Sequence, residues 1–378
     1  MDKVLTLRGG PELVAFWAQL GSVIEVVGAV ALAGVGTGIS VLVAQADAPE
    51  RQRELLHQSL RIGLAVSAPV MLAVVAVSLL FPGKVAGGGF TQPLLALAAV
   101  VGCIAVVPGM LNGYWLGQQR RDLMLALAVG SSLVVLAAAL AAPQAQILAA
   151  LTLAQAMPAL AAVLVLRKIG SRVPSTAERG SLRRYILPGV VIGLLTPLAT
   201  VAARDIVAAQ MSWHDVGLLQ SLWRVSDWVG NVAAGVMAVY FLPRLSAAHG
   251  TPRFVAELKR AALVTILPSA MALAAIGALH RPVFSLLYDE SFRMTDATVA
   301  LFFAGTFARI ASWLPQYGLY AMRRTRSLSI GEVLSMPLFA ALLAAWPGPL
   351  TLEAAGALWL AAYLAYGAFN LWAVRRAA

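Results

Sequence analysis

The chain has 378 residues, of which 60% are hydrophobic and only 12% charged, with a mean hydropathy of +0.81. Soluble domains carry about 25% charged residues, so the composition excludes a water-soluble globular protein and requires one that crosses a bilayer many times. The formal net charge of +11 would suit a nucleic-acid binder, but the basic residues are sorted by loop rather than gathered into a footprint.

Continuous apolar runs fall at 13–44, 57–81, 93–117, 122–142, 145–167, 184–209, 216–243, 257–279, 297–321, 327–346 and 351–374. Each reaches the roughly 20 residues that cross about 30 Å of hydrocarbon. They are uniformly apolar rather than alternating, and lipid demands internally satisfied backbone. An all-α polytopic membrane protein of about 11 helices is therefore predicted.

The first residues, MDKVLTLRGGPE, lack the apolar core of a cleavable leader. VLTLRGGPE reads as the end of a helix and its outer loop, so one helix preceding the first span is expected to be missing. Inside that span Glu25, with Ser22 at i−3, is a candidate proton or cation site, or a partner for an arginine. Gly34 and Gly38 form a small-xxx-small face for close helix approach. Pro108, Pro188, Pro197 and Pro315 fall inside spans and can kink them.

Between the fifth and sixth spans runs the polar stretch RKIGSRVPSTAERGSLRR. Transporters built from two related lobes are divided in this way. An N-terminal lobe at 1–168, a linker at 169–183 and a C-terminal lobe at 184–378 are expected. If the loop around Gln45–His57 is cytoplasmic, alternate loops inherit their sides, and twenty basic residues then lie in cytoplasmic segments against five opposite. That is a strong positive-inside pattern, which puts the linker and C-terminus in the cytoplasm. The basic balance is a topology device with anionic headgroups as a secondary partner; no nucleic acid is expected.

Cys103 is the only cysteine, and His57, His214, His249 and His280 are scattered over loops and span ends. No metal site, cofactor or disulfide is expected. Every outer loop is short except Leu279–Thr295, which is expected to hold an interfacial turn or short helix. A membrane glycosyltransferase or polymerase, needing a catalytic constellation and usually a large loop, is thereby disfavoured.

In the seventh span Gln220, Arg224, Asp227 and Asn231 are spaced 4, 3 and 4 apart, which places them on one helix face. A mid-membrane Arg or Asp costs roughly 2.5–3.5 kcal/mol, so this stripe must face protein or water. The plainest account is an Arg224–Asp227 pair at i, i+3 that knits helices together; a hydrated cavity wall explains the whole row. A second stripe runs through Arg309, Ser312, Trp313, Gln316 and Tyr320. Arg309 lies about twelve residues into its span, roughly 18 Å deep. Its planar fork suits an anionic oxygen cluster, or an inter-helix pair with Glu25, Asp227 or Asp205. Arg204 and Asp205 point apart, and Arg204 is expected to snorkel. Glu332, near Arg326, is expected at the interface. The spans hold three cations and four carboxylates, so composition alone does not make a cavity positive.

RDIVAAQMSWHDVGLLQSLWRVSDWVGNVAAGVMAVYFLPRLS resembles the seventh-to-eighth helix region of Wzx-type flippases for O-antigen and enterobacterial common antigen, in the multidrug/oligosaccharidyl-lipid/polysaccharide exporter superfamily. The matching features are the Arg of RD, the AAQ.SW..VG..Q loop, Ser226–Asp227 and the VY.LP.LS of Val239–Ser246. GPELVAFWAQL and GVGTGISVLVAQ are similar to the family's second helix. The resemblance implies two six-helix lobes in a MATE-like V-shaped bundle around a central cavity. The implied cargo is an undecaprenyl-pyrophosphate-linked oligosaccharide moved by alternating access from the cytoplasmic to the periplasmic leaflet of the inner membrane. The pathway's polymerase and chain-length regulator are implied as further partners, beside membrane lipids. Arg204, Asp227 and Glu332 match family positions, and Arg309 stands where a basic residue is usual. Val41 stands where a Lys is common, and the first helix is absent. Trp313, Tyr317 and Tyr320 offer faces for sugar rings. A cation-coupled multidrug antiporter, with Glu25 and Asp227 as its carboxylates, and a peptidoglycan-precursor flippase remain the alternatives.

Overall fold

The computed structural model describes residues 1–46, 48–80, 90–169, 186–322 and 324–377. The expected linker at 169–183 falls almost wholly outside the described residues. Among the described residues ten helices are long and apolar enough to cross a membrane. They are α1 (Asp2–Ala44), α2 (Pro49–Leu80), α3 (Gln92–Gly117), α4 (Arg121–Ala141) and α5 (Gln144–Ile169), then α7 (Trp213–Ala248), α8 (Arg253–Ala278), α10 (Asp296–Ala321), α11 (Arg326–Ala344) and α12 (Leu352–Arg376). Helix α6 (Ile186–Gln210) falls on the span expected at 184–209. The short α9 (His280–Leu287) occupies the loop expected to hold an interfacial element.

Two boundaries differ from the sequence expectation. Helix α1 begins at Asp2 rather than near residue 13, but it is interrupted at Gly9 (φ −158°, ψ 20°) and Gly10 (φ 63°, ψ −161°). A side chain at Gly10 would be strained, and Pro11 follows as the first residue of the renewed helix, where its missing N–H costs nothing. VLTLRGGPE is thus a helix end followed by a turn. Helix α2 begins at Pro49, so the polar run PERQRELLHQ is helical rather than looped. Its Glu, Arg, Gln and Leu are good helix formers, and Leu55 and Leu56 are buried. Gln52 Nε2 donates to the Ala46 carbonyl at 2.8 Å, and Gln118 Nε2 donates to Gln52 Oε1 at 2.8 Å.

The spans are not straight rods. π turns at Leu32–Gly36 and Met237–Phe241 widen α1 and α7, and α3 is broken at Ala105, before Pro108. Pro197 and Pro315 lie inside α6 and α10.

The chain forms two compact units. Unit 1 comprises Met1, Lys3–Arg8 and Phe16–Val201; unit 2 comprises Asp2, Gly9–Ala15 and Ala202–Ala378. In unit 1, Ile39, Val43, Leu56, Met110, Leu111 and Trp115 form a buried cluster. In unit 2, Phe241, Leu245, Phe254 and Leu319 form another. A separate aromatic group joins α7, α10, α11 and α12: Trp223, Phe302, Phe339 and Trp359 lie with ring centroids 5.1–6.3 Å apart. Lipid gives helices no hydrophobic reason to associate, so close packing carries the association. Gly305 shows how close: a Cβ there would lie 2.3 Å from Trp359 Cδ1 and 2.8 Å from the Leu360 backbone nitrogen.

Gly305→Ala is therefore expected to destabilise the protein by about 1–3 kcal/mol through overpacking. Gly130→Ala, where the added methyl meets nothing within 4 Å, is expected to be neutral or mildly stabilising. Thermal unfolding midpoints in detergent check the contrast.

Candidate functional site

The polar stripe of α7 grades from closed to open along the helix. Gln220 is buried, Arg224 and Asp227 are half-buried, and Asn231 is exposed. Gly235, the next position of the row, borders open space. The residues do not pair among themselves. Instead Arg224 Nε lies 3.1 Å from Asp2 Oδ2, and Arg309 Nη2 donates to Asp227 Oδ1 at 2.8 Å. The plainer reading, an i, i+3 pair within α7, is thus replaced by two contacts with other helices, of which Arg309–Asp227 is one of the inter-helix pairs the sequence offers. The broken start of α1 supplies one carboxylate, and α10 approaches closely enough to claim the other.

Arg309 sits at the convergence of α7, α10 and α12. Its guanidinium carbon lies 5.5 Å from the Trp313 ring centroid and 5.6 Å from that of Trp359. Tyr363 packs against Trp359 beside it, with ring centroids 4.5 Å apart. Arg309 Nε is buried without a hydrogen-bond partner. Arg309's side chain is 12% exposed, whereas Asp227's is 46% exposed. A guanidinium between two indole faces is electrostatically favoured, but a buried N–H without an acceptor costs about 1–3 kcal/mol. The cation is therefore enclosed and under-satisfied, while its counter-ion reaches the surface of the unit. The close approach depends on Gly230, where a Cβ would lie 3.2 Å from both Arg309 Nη2 and Trp313 Cη2. Beneath the pair, the Ser226 and Thr306 hydroxyls are 2.9 Å apart, and Trp359 Nε1 donates to Thr306 Oγ1 at 3.4 Å.

Two further centres flank this one in unit 2. Arg204 is buried rather than snorkelling: it is 5% exposed, donates from Nη2 to Gln220 Oε1 at 2.7 Å, and lies 5.5 Å from the Trp223 ring centroid. Burying it is tolerable because Gln220 and the indole replace water. Glu332 is half-buried within α11 and accepts from Gln316 Nε2 at 2.9 Å. Tyr317 donates to the Ala234 carbonyl at 3.3 Å, and Tyr320 is 42% exposed.

The expected site residues Arg224, Asp227, Asn231, Gln220, Arg309, Trp313, Gln316 and Arg204 all belong to unit 2. Arg309, Asp227 and Trp313 are brought into direct contact, Arg204 and Gln220 form a second contact, and Gln316 joins Glu332. Glu25 belongs to unit 1, where it is exposed on α1. Sequence reasoning missed Trp359, Tyr363 and Asp2. A signal existed for the first two: Trp359, Tyr363, Tyr366 and Asn370 repeat the 4, 3, 4 spacing seen on α7. Asp2 gives no such signal, since its partner lies on another helix.

No family model matches the chain. The chain is 26% identical over 392 residues to the Lipid III flippase of Escherichia coli (strain K12), covering 98% of this chain and 94% of that protein. The Lipid III flippase of Shigella flexneri matches to the same extent. Among solved structures it is similar to an inward-facing multidrug resistance MATE family transporter of the MOP superfamily, with TM-score 0.79 and 18% identity over 100% of this chain and 93% of that one. It is also similar to the Lipid II flippase MurJ in an inward closed conformation, with TM-score 0.72 and 12% identity over 99% and 84%. The chain is thus an all-α multi-pass membrane protein with a MATE-like fold. Each of these relatives is described as a flippase or a transporter, not as an enzyme.

The asymmetric exposure of the Arg309–Asp227 pair sets an asymmetric cost. Asp227→Asn strands an enclosed cation, whereas Arg309→Met leaves a carboxylate that water can reach. Thermal midpoints are expected to fall further for Asp227→Asn. The double variant should recover about 1–3 kcal/mol relative to the summed singles; strict additivity would show that the two side chains do not interact.

Proposed function

We propose that this chain flips an undecaprenyl-pyrophosphate-linked oligosaccharide, an O-antigen or enterobacterial common antigen repeat unit, from the cytoplasmic to the periplasmic leaflet of the bacterial inner membrane. The observation that carries this proposal is the enclosed, under-satisfied Arg309 with its half-exposed partner Asp227. A diphosphate that reaches Asp227 can take its place at the guanidinium, because phosphate oxygens match the same fork and offer more acceptors than one carboxylate oxygen. The arginine stays charged throughout. The exchange also lowers the cost of taking the lipid's anionic head out of water. Asn231 and Tyr320, both exposed, offer a hydrogen-bonding group and an aromatic face to sugars. The likeness to the Lipid III flippases along nearly the whole chain supports a lipid-linked cargo. Release follows when the site opens to the far side and Asp227 regains Arg309.

One observation favours a second proposal, a cation-coupled antiporter. Glu332 is half-buried in α11, beside the interruption at Leu334–Ser335, and its Oε1 accepts from a neutral amide rather than a cation. A carboxylate so placed in a membrane helix suits a cycling proton or metal cation.

In cells lacking their own flippase, Arg309→Ala and Arg224→Ala are expected to abolish surface glycan while the protein remains inserted. Arg309→Lys should retain a fraction of the display. The loss should be at least about tenfold, as expected for a charge-assisted hydrogen bond worth about 1.5–3 kcal/mol. Full display by both Ala variants would contradict the proposal. Uptake of a fluorescent cation into vesicles under a pH gradient would favour the antiporter.

A further inference from the structure

Unit 2 holds a groove of about 520 Å³ between α8 and α10, away from the Arg309 site. Its floor is made of small residues: Ala274, Gly277 and Ala278 on α8, Ala300 and Ala304 on α10. Small residues in membrane helices normally let backbones close together. Here Phe303 stands against Gly277, with 3.4 Å between Phe303 Cδ2 and the position a Cβ would take, and the two helices leave a slot instead.

At about 100° per residue, Ala300, Phe303, Ala304 and Phe307 share one face of α10. Arg309, Trp313, Gln316 and Tyr320 occupy the opposite face. Both walls are membrane-spanning by length and composition, and Ala274, Ala300 and Ala304 are exposed. The slot therefore opens where hydrocarbon chains lie, on the far side of α10 from the polar stripe. A lipid whose head rested on Arg309 would not lay its chain here.

The mouth of the slot is polar. His280 and Asp296 line it at the junction of α8, α9 and α10. His280 is 8% exposed and its Nδ1 lies 2.9 Å from the Gly277 carbonyl, an acceptor. The ring proton is therefore on Nδ1. His280 Nε2 is buried, without a hydrogen bond, 3.5 Å from Asp296 Oδ1. Arg281 Nη2 reaches the same Oδ1 at 3.1 Å, with side chains 78% and 73% exposed. Such an exposed pair contributes little and opens easily. The mouth thus presents a cation and an anion side by side, above an apolar slot, with a buried imidazole nitrogen unfilled.

That pattern is the complement of a zwitterionic headgroup. We propose that the α8–α10 groove seats one acyl chain of a phosphatidylethanolamine, whose phosphate meets Arg281 and whose ammonium meets Asp296 and His280 Nε2. An ammonium next to Nε2 supplies the donor that this imidazole nitrogen lacks. The ammonium gives Asp296 a counter-ion when Arg281 turns to the phosphate. An anionic lipid such as phosphatidylglycerol satisfies Arg281 but leaves Asp296 facing more negative charge. This site is independent of the cargo carried at Arg309.

The test uses the full chain in vesicles of equal phosphatidylethanolamine and phosphatidylglycerol, with a trace of phosphatidylethanolamine bearing a photoactivatable acyl chain. Adducts mapped by peptide mass spectrometry are expected to concentrate on α8 and α10 around Ala274 and Ala300. Unlabelled phosphatidylethanolamine should compete better than phosphatidylglycerol, and Asp296→Asn should narrow that preference by about two- to fivefold. Ala274→Phe should abolish the labelling, with Ala304→Phe as a second filled-groove variant and Ala137→Phe on α4 leaving it unchanged. Labelling spread evenly over α4 and the groove helices, persistence in both filled variants, or equal competition by the two lipids would overturn the proposal.

Discussion

The cost of holding a guanidinium away from water orders the centre of unit 2. Arg309 meets that cost with one carboxylate oxygen and two indole faces, drawn from α7, α12 and its own helix. Neither α7 nor α10 could shift alone without leaving a buried charge unpaired, a loss of about 3–5 kcal/mol in typical cases. The glycines at 230 and 305 are consequences of this arrangement. They let α7 and α12 come near enough for the contacts to form.

The same arrangement leaves something undone. Arg309 Nε has no acceptor, and Asp227 is bound on one side and open on the other. A pair built solely for stability would have closed both ends, and apolar residues of similar size would often have done as well. Retaining a polar pair with one open end fits a site at which an anion from outside takes its turn. Arg204 differs in kind: Gln220 and Trp223 hold it in a buried setting, suited to supporting α6 against α7.

Most of the fold was legible because hydrocarbon thickness sets the length of each apolar run, and lipid permits few backbone solutions. Even the turn at Gly9 and Gly10 could be read from VLTLRGGPE. The start of α2 could not, since its first turns are polar and its anchors, Leu55 and Leu56, look like any loop leucines. The stripe on α7 was legible as a stripe, because spacing fixes which residues share a face. Its partners were not. Spacing within a helix says nothing of which neighbour arrives: Asp227 is one of three carboxylates it offers Arg309, and it gives no hint that Asp2 meets Arg224. The proximity of Arg326 in sequence likewise does not disclose that Glu332 pairs with Gln316. The Trp359, Tyr363, Tyr366 row was within reach of the same spacing argument and carried no charge to draw attention to it.

The central claim is that Asp227 and a diphosphate compete for Arg309. Equilibrium binding of undecaprenyl diphosphate to the purified full chain, compared with Asp227→Asn and Arg309→Met, tests it most directly. The account predicts tighter binding to Asp227→Asn, whose guanidinium has lost its internal rival, and loss of binding to Arg309→Met. Weaker binding by Asp227→Asn together with unchanged binding by Arg309→Met would contradict it.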